Sequence, residues 1–295
     1  VLRTKISNSQ DWCMYVKGGS AYIRVEGNEI YNCGTGGFVA GQGTGFEWMT
    51  SPWIHYEAYG ITFVNNVIHD TDTAGMGVNG GYNILFAHNT LVRAGTRDHF
   101  FEANGGGRGC DGDAAACASR QSEGGWGGPT QSGQFIPNRN IFVFNNLFYA
   151  QASKPVPYML QIANTYTPPA GSNLTGPQAA DTNLQIKGNV FWDGAVTDLG
   201  ISRRNGGCAD TNPTCNVPQL EADNGFNGIE PTFVNLAGND FHVTNGALNA
   251  TPTVAWPDFD WSDLPRRPLA PAGQTRITIT TNKDGAARTA RAGAY

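Results

Sequence analysis

Charge is what this sequence is short of. Asp, Glu, Lys and Arg make up 15% of its 295 residues, against about 25% in an ordinary globular chain. The net charge of −5 leaves no basic footprint for a phosphate backbone, which argues against nucleic acid as a partner. No run approaches the roughly 18 apolar residues of a membrane-spanning helix, and no signal-peptide pattern opens the chain. It begins at Val1 in a strand-like stretch without an initiator Met, and reads as a processed or truncated product that has lost its targeting segment. There is no phosphate loop, no G-x-S-x-G elbow, no C-x2-C pair and no calcium-binding nonapeptide array, so none of the chemistries built on those motifs is indicated.

What the chain does have is glycine, asparagine and a moderate apolar content. The 40% hydrophobic fraction supports a real core, and 39 glycines suit short strands and tight turns better than long helices. Six cysteines fall into three neighbouring couples: Cys13 with Cys33, Cys110 with Cys117, and Cys208 with Cys215. Paired by loop length, they read as disulfides formed in an oxidising compartment, hence a secreted or cell-surface protein. Zinc is the competing use, and no Cys/His cluster supports it.

One unit recurs: an apolar-alternating strand, an Asn, then a second short strand. It reads IRVEGNEIYN (23–32), ITFVNNVIHD (61–70), ILFAHNTLVR (84–93), IFVFNNLFYA (141–150) and LQIKGNVFWD (184–193), with Asn28, Asn66, Asn89, Asn146 and Asn189 at the turn. Asn tolerates left-handed backbone and bonds its own turn, and stacked Asn side chains can link one coil to the next as a ladder. A lone coil cannot bury its apolar face, whereas stacked coils share one core. The step from Asn66 to Asn89 is 23 residues, one bare coil, and the steps of 38, 57 and 43 are coils carrying loops. An antiparallel sandwich with repeated Asn turns explains five identical units less well.

The Asn repeat, with the closing segment PTFVNLAGNDFHVTNGALNATP (231–252), resembles the bacterial family of right-handed parallel β-helix repeat proteins, whose coils share the shape of pectate lyases. That resemblance covers most of the chain. It implies an all-β solenoid over residues 1–252, ending in a final coil, and a C-terminal cap (253–295) on the last coils within the same domain. The family includes lyases, hydrolases, epimerases and non-catalytic adhesins, so fold alone does not fix activity. The DPHD signature of alginate epimerases is absent, as are the catalytic Lys and Arg runs of well-known alginate and chondroitin lyases.

If each Asn separates the second and third strands of a coil, the first strands lie at 36–41, 74–80, 98–105, 158–164 and 199–206. In enzymes resembling this one, that sheet and its loops form the sugar groove, and the longest insertions (41–60, 103–138, 163–183, about 204–216) follow these strands. The densest charge also lies there. Alternation with Phe101 inward turns Glu102 outward, beside Asp98 and His99, with Arg203 and Arg204 from a later coil. These five are the candidate catalytic residues. His55, Glu57, Tyr59, Trp53, Trp126, Gln161 and Arg108 are candidate substrate contacts.

A uronate lyase needs a base for the C5 proton, a group to neutralise the carboxylate and an acid for the leaving oxygen; Lys154 and Tyr59 are further candidates for such parts. A hydrolase needs two spaced carboxylates, Glu102 with Asp98 or Asp70. The expectation is a polysaccharide-acting enzyme on an extended acidic polymer, lyase before hydrolase before epimerase; a non-catalytic polysaccharide-binding β-helix is the alternative. Each residue also has a plainer use: Asp98 as a turn cap, His69 and Asp70 as turn polarity, and the loop tryptophans as pins. The tract CDGDAAAC reads first as a small disulfide loop. No cofactor is required, and Ca2+ there lacks a loop template.

Overall fold

The computed structural model describes residues 1–128, 136–194, 206–264, 266–272 and 277–295. The chain is mostly β. It visits three parallel sheets in turn, and the circuits that open with Ala58–Val64, Gly81–Ala87 and Arg139–Phe144 each add one strand to each. Ala58–Val64 in the second sheet leads through Asn66 to Val67–Thr71 in the third, then to Ala74–Asn79 in the first. The next segment, Gly81–Ala87, lies parallel beside Ala58–Val64 with Ile84 opposite Ile61 and Phe86 opposite Phe63. The first sheet comprises Trp12–Val16, Gly36–Gly41, Ala74–Asn79, His99–Asn104 and Tyr158–Ile162.

In-register stacking puts like side chains over one another. In the third sheet Ile30, Ile68, Leu91, Phe148, Phe191 and Phe226 form one column. Phe148 and Phe191 stack with centroids 4.5 Å apart, and Phe191 and Phe226 at 4.7 Å. Val25, Phe63, Phe86, Val143 and Ile186 face them from the second sheet, and Phe38, Met76, Phe101 and Leu160 from the first. Each large apolar side chain so buried contributes about 1.5–3 kcal/mol.

The Asn ladder forms and is longer than expected. Nδ2 of Asn28, Asn66, Asn89, Asn146 and Asn189 donates to Oδ1 of the next Asn at 2.8–3.1 Å, and Asn224 is a sixth member at the end. The expected left-handed geometry belongs not to the ladder Asn but to the residue before it: Gly27, Asn65, His88, Asn145 and Gly188 have φ between 54° and 69°. That residue makes the turn, which leaves the Asn extended enough to point its amide inward.

Two further expectations are corrected. Residues 231–252 are not a final parallel coil. Phe233–Asn235 and Asp240–Val243 form an antiparallel pair whose Phe233 and Phe241 pack on Val67, Val92 and Tyr149, outside the third sheet. The C-terminal segment does not sit on the last coils alone. It runs back along the second sheet, bonding from Asn145 (Val254 N, 2.8 Å) through Asn83 (Asp260 O, 2.6 Å) to Tyr22 (Pro268 O, 2.7 Å). The cause is the apolar outer face there: Val64, Leu85, Ala87, Phe142 and Phe144 pack against Val254, Trp256, Phe259 and Ile279. At the first sheet, the loop after Gly36–Gly41 meets the loop after His99–Asn104 at the Gly43–Gly107 bridge, and the bridges Gly106–Ile136 and Tyr166–Gln178 close loops on themselves.

All six cysteines are paired as expected from loop length. No helix among the described residues is long and apolar enough to cross a membrane.

Candidate functional site

The first sheet carries an outer row of Tyr15, Val39, Gly77, Glu102 and Gln161 on five adjacent strands. At a strand spacing of about 4.8 Å the row is about 19 Å long. Beside it, Trp12, Val39 and Ala74 make a small apolar patch. Phe100 and Phe101 both enter the core, against Phe148 and Phe86 respectively, so strict alternation breaks between them. His99 and Glu102, three residues apart, thereby leave the core on the same side.

They meet there. His99 Nε2 lies 3.2 Å from Glu102 Oε2, and Asp98 Oδ2 lies 3.5 Å from His99 Nδ1. Asn79 Nδ2 donates to Glu102 Oε1 and Asn104 Nδ2 to Glu102 Oε2, each at 3.0 Å. His99 is 2% exposed and Glu102 7%. The Glu102 arm lies flat across Gly77, where any β-carbon would meet Glu102 Cγ. Three groups, the Asn79 and Asn104 amides and the His99 ring, therefore fix one carboxylate on the sheet.

Of nine buried side-chain atoms without a hydrogen-bond partner among the described residues, three lie in or beside this cluster, His99 Nδ1, Asn79 Oδ1 and Gln161 Oε1, and a fourth, Tyr166 Oη, lies against Gly105 beyond the strand's end. Buried polar groups without partners are costly and uncommon, which makes this cluster the candidate site. A neutral imidazole that donates through Nε2 to Glu102 has its lone pair on Nδ1. Asn79, Asn104 and Tyr166 were not among the expected site residues. In a chain rich in Asn they have no distinctive spacing, except that Asn79 precedes Glu102 by 23 residues, the same step that separates Asn66 from Asn89.

Several expected contacts lie elsewhere. Glu57 and Arg108 are both wholly buried and paired with each other, Nε to Oε1 at 2.8 Å. Thr44 Oγ1 donates to Glu57 at 2.5 Å, and Arg108 also donates to the carbonyls of Ile54, Trp126 and His55. This pair ties the loop before Ala58 to the loop after Asn104, with no donor turned to a ligand. Tyr59 is buried beneath it, accepting from Tyr56 N at 2.8 Å and His55 N at 3.2 Å; burial pushes its hydroxyl up to about 12. Trp53 and Trp126 pack with Tyr56, Tyr59 and Tyr82 and pin the loops. His55 stands edge-on to Trp126 at 5.0 Å, its pKa lowered by burial and then by the charges of Arg108 and Arg266. Arg203 and Arg204 lie outside the described residues.

Asp70 and Lys154 are spent on the third sheet. Arg93 grips Asp70 through Nε (2.8 Å) and Nη2 (2.7 Å), with His69 and Lys154 each at 2.9 Å. Partial burial raises the Asp70 carboxyl, but those hydrogen bonds outweigh it and hold the pKa well below the carboxylate range. In the CDGDAAAC tract, Asp113 caps the helix Ala114–Ser122 by accepting from Ala115 N and Ala116 N. Glu47 accepts from Asp111 N and Asp113 N.

No protein-family model, curated protein or solved structure matches this chain.

Proposed function

We propose that this chain is a right-handed parallel β-helix of the pectate-lyase-like shape, exported to an oxidising compartment, that cleaves an extended acidic polysaccharide by β-elimination. The observation that carries the reading is the orphaned Nδ1 of a histidine whose other nitrogen is fixed by a carboxylate. Glu102 sets the tautomer, and His99 Nδ1 takes the C5 proton of a uronate. Asp98, beside the same nitrogen, stabilises the imidazolium that forms. The electron pair left by that proton becomes the C4–C5 double bond as the C4–oxygen bond breaks.

Neutralising the uronate carboxylate needs hydrogen-bond donors aimed at it. Gln161 stands one strand beyond Glu102, and the Asn79 and Asn104 amides each carry a second N–H. Tyr15, exposed at the far end of the same row, offers a ring face for sugar stacking.

Hydrolysis by Glu102 with Asp98 fits less well. The His99 ring stands between the two carboxylates, where a substrate oxygen or a water would have to lie.

Incubation of the protein with a panel of uronate polysaccharides, followed by ultraviolet absorbance of the new double bond, tests the reading. Unsaturated ends are expected. New reducing ends without unsaturation would replace elimination by hydrolysis, and binding without turnover would leave a polysaccharide-binding module.

A further inference from the structure

We infer that a second carbohydrate site, for a sugar bearing a carboxylate, lies on the corner where the third sheet turns into the first. The inference takes only its class of ligand from the elimination reading above, and its residues are separate from the His99 cluster. Two adjoining cavities, of about 590 and 410 Å³, share Asn32, Asp70, Arg93 and Lys154 as walls. Each is of a size that holds a small ligand. The smaller reaches Thr96 and Pro155, which precede the first-sheet strands His99–Asn104 and Tyr158–Ile162 by a few residues. The larger opens between Gln151, Ser153 and the hairpin turn at Leu236 and Asn239.

Charge selects the ligand. Arg93, 7% exposed, donates to Asp70 through Nε and Nη2, to Asn239 Oδ1 at 2.7 Å and to the Leu236 carbonyl at 3.4 Å. Lys154 Nζ also donates to Asp70, at 2.9 Å. One carboxylate thus answers two cations, and the larger cavity keeps an excess of positive charge in a chain of net charge −5. The same bonds use up the acceptors of Asp70, Asn239 and Leu236. What remains there is donors: two N–H of the Lys154 ammonium and the Asn239 amide nitrogen. Arg93 holds Asp70 by two bonds without help, so Lys154 is not needed to fix it. Lys154 is nevertheless positioned, because its backbone N–H closes a turn on Gln151 O at 2.7 Å. Its side chain is 55% exposed and within reach of a ligand. Excess charge and spare donors fit a sugar carboxylate in the larger cavity. In the smaller, Asp72, 3.7 Å from Arg97, and Thr96 fit ring hydroxyls.

The test is protection of Lys154 from acetylation, read by mass spectrometry on the Glu102→Gln protein so that turnover does not consume the ligand. The probes are oligosaccharides of galacturonate, glucuronate and mannuronate, and the methyl ester of each, which keeps the ring and loses the charge. At least one acid is expected to shield Lys154 while Lys5, exposed on the same sheet, stays reactive, and its ester is expected to shield far less. The half-shielding concentration is expected to rise at least about threefold when salt is raised to about 0.5 M, which screens a partly exposed ion pair. Asn239→Gly keeps the left-handed backbone and removes the amide, and a rise of about fivefold is expected, the worth of one hydrogen bond. No shielding by any acid would overturn the site, as would equal shielding by acid and ester, or a half-shielding concentration that neither salt nor Asn239→Gly moves. Unsaturated product plays no part in this readout, so the elimination reading can fail while the corner site stands, and the reverse.

Discussion

The Asn ladder and the Glu102 cluster are built from similar chemistry and satisfied to opposite degrees. In the ladder Asn89 accepts from Asn66 N (2.9 Å) and Asn66 Nδ2 (3.1 Å) and donates to Phe63 O (3.0 Å) and Asn146 Oδ1 (2.9 Å). Every valence of that amide is met within the chain. On the first sheet, Asn79 and Gln161 are equally well placed on regular strands, yet each keeps a buried carbonyl oxygen without a donor. The fold is able to satisfy amides where their task is to hold coils together. On the first sheet, the proposed substrate would supply the missing partners. The Glu57–Arg108 pair falls on the ladder's side of this division, since it is wholly buried and bonded within the chain.

The comparison breaks most visibly at Glu102. Glu102→Gln keeps the shape but loses the charge that orients His99, and a loss of about 100- to 10,000-fold in turnover is expected, with an unfolding temperature close to the parent's. Full activity in that variant would remove the cluster from the mechanism. Glu57→Gln should do the reverse. It strands a buried guanidinium, and a loss of about 3–5 kcal/mol in denaturant unfolding is expected, with the rate per folded molecule retained. A stability change under 1 kcal/mol would show that the pair is not the lock described.

Asn89→Ala removes a central rung and leaves groups on Asn66 and Asn146 unpaired. About 3 kcal/mol is expected, at about 1–3 kcal/mol for each orphan, and Asn28→Ala at the ladder's end should cost less. Equal costs would mean that the ladder does not act as a connected array.

The smallest effect is on pH dependence. Burial, then the charge of Arg288, holds the His88 pKa down to about 3. The unfolded chain takes up that proton near pH 6.5, so the contribution of neutral His88 is complete above that pH and is lost as pH falls towards 3. His88→Asn supplies the residue that Asn65 and Asn145 use at the same left-handed position. A shallower acid loss of stability than the parent's is expected from pH-dependent thermal unfolding. An unaltered acid limb would assign the loss to other groups.

The stacked sheets were legible because Asn28, Asn66, Asn89, Asn146 and Asn189 each stand between two alternating apolar strands. Asn224 was not, because a helix, Val217–Asp223, precedes it and only Gly225–Phe226 follows as strand. The outer covers escaped for a related reason. Residues 231–252 alternate like a coil, and only the apolar outer faces of the second and third sheets show that a hairpin and the C-terminal segment lie across them. At the candidate site, Glu102 and Gln161 follow from strand phase, and Asp98 and His99 from the local density of charge. The break in alternation at Phe100–Phe101 that turns His99 out of the core has no signature in the sequence. Glu57, Arg108 and Tyr59 could not be assigned from their loops, since burial by loop-to-loop packing has no local signature. Asn79, Asn104 and Tyr166 were hidden because an amide or a phenol becomes unusual only when its partner is missing.

The orphaned valences of the first sheet are where a bound substrate must be found. A crystal structure of the Glu102→Gln protein with a bound uronate oligosaccharide would show it. The prediction is a sugar lying along the row from Tyr15 to Gln161, its carboxylate on the Gln161, Asn79 and Asn104 amides and its C5 facing His99 Nδ1. An oligosaccharide bound on another face, with those atoms still unpartnered, would contradict the account.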